Sequence, residues 1–351
     1  MEKPKILFIG GSLNQTTMMH KIAKELPEFD NYFTPYYASG ILWIMTKLKM
    51  LEYTIMGGEF KRKTLEYIKN NNLKLDIEGR NNKYDLVITC QDLIIPNNIK
   101  NNKVILVQEG MVDPIEWRYH VARFLGLPRW TAGTSLTGLS HNYDYFCVAS
   151  EGFKDQFIEK GVNPDKMRVT GIPNFDDFEK YKEYKIEYKN FVLVATSDFR
   201  ETMKYENRKK FILDSKKIAN GRKLVFKLHP NESIKKRTEE IQKYAPEALV
   251  YHGVSIDPLL ANCDVFITRF SSTIFPALAL GKEVYCDIDI KDLERVVPIQ
   301  NGGTSAKAIA SVAKGLLEST KPVVRLKEKN KYLEDLKLEI KYLLKQKLAH
   351  K

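Results

Sequence analysis

Five short stretches set chemically capable residues directly after apolar runs. In the first, Ile9-Gly10-Gly11-Ser12-Leu13-Asn14, a strand-like run meets two glycines and then a helix. A missing Cβ lets another group approach the backbone, and a helix N-terminus favours anions. The second, Val107-Gln108-Glu109-Gly110, ends on a carboxylate suited to general-base work or to binding a hydroxyl. A helix cap or turn residue is the plainer alternative at Glu109. Beyond it, Asp113, Glu116, Trp117, Arg118, His120, Arg129 and Trp130 crowd a segment that ends in Thr134–His141. A long connection rich in Trp, Arg, His and small hydroxyls fits a lid over an acceptor or sugar. Asp113 and His120 are further candidate bases there.

The third stretch, Thr196-Ser197-Asp198-Phe199-Arg200, offers hydroxyls and a guanidinium to a pyrophosphate. In the fourth, Lys227-Leu228-His229-Pro230-Asn231-Glu232, proline ends the strand and presents His229 at its edge, able to contact a phosphate or move a proton. The fifth runs from Phe266 through Arg269, Ser271, Ser272 and Thr273 to Gly281. Three hydroxyls at a helix start exceed what one cap requires, and Arg269 adds a fork of donors.

Parallel sheets position such strand ends. Short apolar runs alternate with longer amphipathic stretches, the rhythm of βαβ units. The strand candidates are Lys5–Ile9, Tyr32–Thr34, Leu86–Thr89, Val104–Gln108, Tyr145–Val148 and Met167–Thr170, then Phe191–Thr196, Lys223–Lys227, Ala248–Tyr251, Val265–Thr268 and Glu283–Cys286. A helix is expected over Met18–Leu26. The charged, tyrosine-rich stretch Asp176–Asn190 reads as a linker. The expected domains are 1–176 and 177–325, with a basic amphipathic helix over 326–351. That helix carries leucines at three-to-four spacing, which fits packing on a domain or lying on anionic lipid.

The chain has 351 residues, room for two cores, and no apolar run near the roughly 18 residues a bilayer needs. The N-terminus lacks the pattern of a signal peptide, which points to a cytoplasmic protein. The four cysteines are scattered and none is spaced as a metal ligand. A net charge of +12 suits phosphorylated ligands or an anionic membrane surface. Nucleic acid fits less well, because the lysines are dispersed and no recognition motif is present.

In order and spacing these features resemble the GT-B glycosyltransferases and the UDP-N-acetylglucosamine 2-epimerases that share their fold. The glycine-bearing first turn, the segment Val169–Asn174 before the interdomain crossing, His229-Pro230, and the run from Asp264 through Ser271-Ser272-Thr273 to Lys282 carry the resemblance. The last two also look like parts of bacterial envelope glycerophosphate and polysaccharide transferases. The resemblance implies an α/β fold of two Rossmann-like domains facing across a cleft, with the C-terminal helix crossing back to the N-terminal domain. It implies a nucleotide-sugar donor, a glycan or lipid-linked acceptor in cell-envelope glycan assembly, and no bound metal or other cofactor. The epimerases carry an Arg-Arg-Glu-Asn run where this chain has Ser197-Asp198-Phe199-Arg200-Glu201. That departure favours a transferase, leaving an epimerase and a non-catalytic sugar-nucleotide-binding protein as alternatives.

Overall fold

The computed structural model describes residues 3–176, 181, 183–196, 207–229, 232–269, 271–297 and 302–319. Ser197, Arg200 and Pro230, most of the expected linker's first half, and the 326–351 helix lie outside the described residues.

Two compact units divide the chain, one reaching Asn174 and resuming at Gly303, the other spanning Phe175–Gly302. The first holds β1 (Lys5–Gly10), α1 (Leu13–Lys24), β2 (Asp30–Pro35), α2 (Ile41–Lys47), α3 (Gly58–Asn70), β3 (Lys74–Leu75), β4 (Leu86–Thr89), β5 (Lys103–Val107), α4 (Trp117–Phe124), β6 (Tyr145–Val148), α5 (Glu151–Glu159) and β7 (Met167–Val169). The second holds β8 (Phe191–Ala195), α6 (Arg208–Ala219), β9 (Lys223–Lys227), α7 (Ile234–Tyr244), β10 (Leu249–Tyr251), α8 (Asp257–Asn262), β11 (Val265–Ile267), α9 (Ile274–Ala279), β12 (Glu283–Tyr285) and α10 (Ile290–Val296). The last described helix, α11 (Ser305–Glu318), returns to the first unit.

Each unit is built on a parallel sheet, ordered β3-β2-β1-β4-β5-β6-β7 in the first and β10-β9-β8-β11-β12 in the second. Strands covered on both faces read as unbroken apolar runs, and Ile6–Ile9, Leu86–Ile88 and Phe191–Val194 are all buried. Every expected strand is present to within a few residues. The two-residue edge strand β3 escaped sequence reading because it carries no apolar run and both residues are exposed. Helix α1 begins at Leu13, well before Met18, because the Ser12 hydroxyl accepts the Gln15 N–H at 3.1 Å and caps it there.

Residues 305–318 were expected in the C-terminal domain. Instead α11 packs on α1 and β5. Ala306, Ile309, Ala310, Ala313 and Leu316 form its buried face. The Lys103 ammonium donates to the carbonyls of Leu316, Leu317 and Ser319 at 2.8–3.2 Å, satisfying the negative end of the helix.

Candidate functional site

Open parallel sheets bind ligands at the carboxyl ends of strands, where the strand order reverses. The order reverses between β1 and β4 in the first unit and between β8 and β11 in the second. Each candidate residue is placed by these two edges.

At the first edge, the turn after β1 and the residue after β5 meet. Glu109 accepts from Ser12 Oγ at 3.2 Å, Asn14 Nδ2 at 3.3 Å and Gln15 Nε2 at 2.6 Å. Its half-buried carboxylate therefore sits against the first turn of α1. Gln15 is clamped at its other end, where its Oε1 accepts the Gly11 N–H at 2.7 Å. Ser12-Leu13-Asn14-Gln15 has the spacing of a capping box, although the Gln15 side chain takes the Gly11 N–H in place of the Ser12 N–H; the sequence carried this signal and our reading missed it.

The glycines serve packing rather than an open approach to the backbone. A Cβ on Gly10 would lie 2.6 Å from Thr16 Oγ1, and one on Gly11 would lie 2.9 Å from Gln15 Oε1 and 3.0 Å from Ile55 Cδ1. The space expected for a ligand is filled by the chain itself, and the Gly11 N–H is already engaged.

The other two candidate bases sit apart from this group. Asp113 Oδ2 accepts Thr134 Oγ1 at 2.7 Å and the Thr134 N–H at 3.1 Å, and Thr134 Oγ1 accepts the Asp113 N–H. Gly133 faces the same carboxylate so closely that a Cβ there would sit 2.9 Å from Oδ2. Asp113 is thus a clasp. Beneath it Lys160 Nζ donates to the Asp113 carbonyl at 2.8 Å. Burial pushes the Lys160 ammonium down to about 8, with Asp113 opposing the shift. His120 lies exposed on α4, its ring edge-on to Tyr119.

The expected lid divides in two. Leu136–Thr137 and Ser140–His141 are buried. Asp92, itself buried, accepts the N–H groups of Gly138 and Ser140 at 3.0–3.2 Å, and burial raises its pKa against those bonds. Ser135 Oγ donates to the Ala132 carbonyl at 2.7 Å. These hydroxyls hold the segment in the unit instead of lining a sugar site, which corrects the expectation for Thr134–His141. Trp117 and Trp130, by contrast, are exposed.

At the second edge, three adjacent strands, β9, β8 and β11, bring Thr196, His229, Arg269 and the Ser271–Thr273 turn to the carboxyl end of the sheet. The fully buried Glu232 organises the first two. It accepts from Thr196 Oγ1 and from the His229 N–H at 3.1 Å, and pairs with Arg208 at 2.7 Å and Arg237 at 3.3 Å. The His229 N–H also reaches Thr196 Oγ1 at 3.1 Å. Lys227 is buried beside this group and donates to the Leu228 carbonyl at 2.8 Å. Burial lowers its pKa while Glu232 opposes that. Sequence reading missed Arg208, Arg237 and Lys227. The first two reach Glu232 from α6 and α7, and no local spacing announces such a meeting.

The serine-rich turn behaves partly as expected. Ser271 Oγ and Thr273 Oγ1 bond to each other at 2.8 Å, and Ser271 Oγ accepts the Thr273 N–H at 3.3 Å. Ser272 lies between them and its carbonyl accepts the Phe275 N–H. Helix α9 ends on Gly281 at φ +69°, with Lys282 N–H returning to the Ala277 carbonyl, the expected glycine stop. Arg269 pairs with Asp287 at 2.6 Å, so its guanidinium is oriented by a carboxylate at this edge. Among the described residues, no cluster of three or more His, Cys, Asp or Glu is placed to hold a metal.

No family model matches the chain. A processive diacylglycerol beta-glucosyltransferase of Bacillus pumilus is 25% identical over 297 residues, covering 81% of this chain and 71% of that protein. In solved structures, the fold matches the UDP-N-acetylglucosamine 2-epimerase of Neisseria meningitidis bound to UDP-N-acetylglucosamine, with a TM-score of 0.56 at 12% identity over 89% of this chain and 100% of that one. It also matches the wall teichoic acid polymerase TagF, with a TM-score of 0.50 at 12% identity over 90% of this chain and 89% of that one. The chain has the GT-B fold that glycosyltransferases and these epimerases share.

Proposed function

We propose that this chain is a glycosyltransferase that moves a sugar from a nucleotide-activated donor to an acceptor hydroxyl in cell-envelope glycan assembly. The observation that carries the reading is the second edge: Thr196, His229 and the Ser271–Thr273 turn, with Ser272, gather over β9, β8 and β11 at a strand-order reversal. Lys227, Arg208 and Arg237 surround Glu232 there, and Glu240 pairs with Arg237 at 2.6 Å, so among the described residues of this group three cations face two carboxylates. Hydroxyls and surplus positive charge suit a diphosphate and can offset the charge of a leaving one without a resident metal. The Bacillus relative, named for glucosyl transfer to diacylglycerol, supports a transferase and suggests the acceptor to try first.

Glu109 is the acceptor base in this scheme. Three side-chain donors hold its carboxylate at the first edge, whereas the Asp113 carboxylate is committed to Thr134 and His120 lies out on α4. The test is a thermal-shift screen against UDP, CMP, CDP, GDP, TDP and ADP, with and without Mg²⁺. One nucleotide present at about 100 times its Kd stabilises the protein by about 2.7 kcal/mol, and we expect that shift without metal. Silence from every nucleotide overturns the donor site. With the base identified, the matching glucosyl donor and diacylglycerol form the first transfer assay. Conversion of UDP-N-acetylglucosamine with no acceptor would instead make the chain an epimerase.

A further inference from the structure

We infer that α2 and α4 form a docking surface for an anionic lipid bilayer, so that the Glu109 edge of the first unit faces the membrane. The argument starts from two helices whose apolar stripes point the wrong way for a core. On α4, Trp117, Val121 and Phe124, with the capping Leu125, recur at helical spacing, the pattern of a buried stripe. They are exposed, Trp117 by 67% and Phe124 by 76%, while Tyr119 and Ala122 on the other side enter the core. On α2, Ile41 and Ile44, with the capping Leu48, repeat the pattern, Ile41 is 77% exposed, and no residue of the helix is buried. Elsewhere in the unit, exposed large apolar side chains occur singly, as at Ile158 and Val169, or in pairs, as at Leu75 and Ile77, which is ordinary.

Both helices leave the same edge of the same sheet. In this parallel sheet α2 follows β2 and α4 follows β5, and β1 and β4 stand between those strands. At about 4.8 Å per strand, the two chain exits lie roughly 14 Å apart and bracket the Gly10–Glu109 group.

Charge chooses the occupant. Between Ile41 and Met50, and between Trp117 and Trp130, the chain carries Lys47, Lys49, Arg118, Arg123 and Arg129 and no Asp or Glu; Lys47 lies 3.7 Å from Glu78 and Arg129 turns inward to the Asp92 carbonyl, so Lys49, Arg118 and Arg123 are the cations set beside the stripes. Long basic side chains beside an exposed apolar stripe match a headgroup layer, into which the apolar face sinks while the cations stay at the phosphates. All three tryptophans of the chain lie in these two segments; Trp117 and Trp130 are exposed, while the Trp43 indole N–H donates to Glu78 at 3.1 Å, and exposed tryptophan favours the membrane interface. The docking rests on these observations alone. That the bilayer also delivers a lipid-linked acceptor to Glu109 rests on the transferase reading.

The test uses the whole chain with phosphatidylcholine vesicles, with and without phosphatidylglycerol, reading tryptophan emission and co-sedimentation. Phosphatidylglycerol vesicles are expected to shift the emission to the blue and sediment the protein, with added salt weakening both. Ile41→Glu/Phe124→Glu is expected to cut binding roughly 10-fold or more. Lys49→Gln/Arg118→Gln is expected to cut it roughly 25-fold on anionic vesicles, about 5-fold per lost cation. An unchanged melting temperature shows that the variants fold. Binding that survives Ile41→Glu/Phe124→Glu overturns the proposal. So does a wild type that ignores vesicles and sediments as a dimer broken by that variant, which makes the face a contact between copies. A nucleotide-induced thermal shift with no vesicle binding sinks the docking alone, and vesicle binding with no nucleotide shift sinks the donor site alone.

Discussion

Replacing Glu232 with Gln probes the second edge at its centre. The Glu232 side chain is fully buried and Arg208, its partner at 2.7 Å, is 5% exposed. Removing one member of a buried pair strands the other charge, at about 3–5 kcal/mol. Glutamine keeps the shape but turns one oxygen into a donor, facing a site where Thr196 Oγ1, the His229 N–H and two guanidinium groups all donate. The loss falls within Phe175–Gly302, and the assay can isolate it because every tryptophan lies between residues 43 and 130. Tryptophan fluorescence during urea unfolding reports the first unit alone, while far-ultraviolet circular dichroism reports both. With a slope of about 2 kcal/mol per molar urea, the dichroism component from the second unit is expected to move down by roughly 2 M. The tryptophan transition is expected to stay in place. A dichroism shift below about 0.5 M would mean that Arg208 keeps its charge without cost, and the buried-pair argument would fail.

Further outcomes follow from the first unit. Glu109→Gln is expected to lower transfer about 10²–10⁴-fold with the fold intact, and near-full turnover would remove Glu109 as the base. Gly10→Ala forces a Cβ to 2.6 Å from Thr16 Oγ1 and 3.1 Å from Thr16 Cα, costing about 1–3 kcal/mol in thermal melts. Gly315→Ala, on α11 with open space around it, is expected to stabilise by up to about 1 kcal/mol. Lys160 gives a pH signature. Between about 8 and its ordinary 10.5, the unfolded chain holds a proton that the folded chain has released, so Lys160 makes stability rise with pH across that window. The stability of wild type minus Lys160→Met is expected to climb by about 3 kcal/mol from one end of that window to the other. A flat difference would mean that the buried ammonium is solvated.

Much of the fold was legible because parallel strands advertise themselves. Phe191–Val194 and Leu86–Ile88 are apolar on both faces, so their location needs no knowledge of their neighbours. The edge strand β3 has no such signature, since one backbone ladder to β2 defines it. The Gly281 stop was readable for the same local reason, being set by bonds within a few residues, whereas the equally local Ser12 cap was missed and the start of α1 was placed too late.

The site was legible in position but not in use. Sequence alone put Gly10, Glu109, Thr196, His229 and Ser271 at strand ends, which the alternation of runs determines. Only the tertiary structure decided which partners each would meet. The spaces beside Gly10 and Gly11 are filled by Thr16, Gln15 and Ile55, the hydroxyls of Thr134–Ser135 bond within their own unit, and Glu232 is reached by arginines from two helices. It also decided that the apolar stripe of α4 faces outward, although its spacing is that of a core helix. Spacing along a helix fixes which side chains share a face. Which way that face turns depends on strand order and on what else packs there, and those are contacts between residues far apart in the chain.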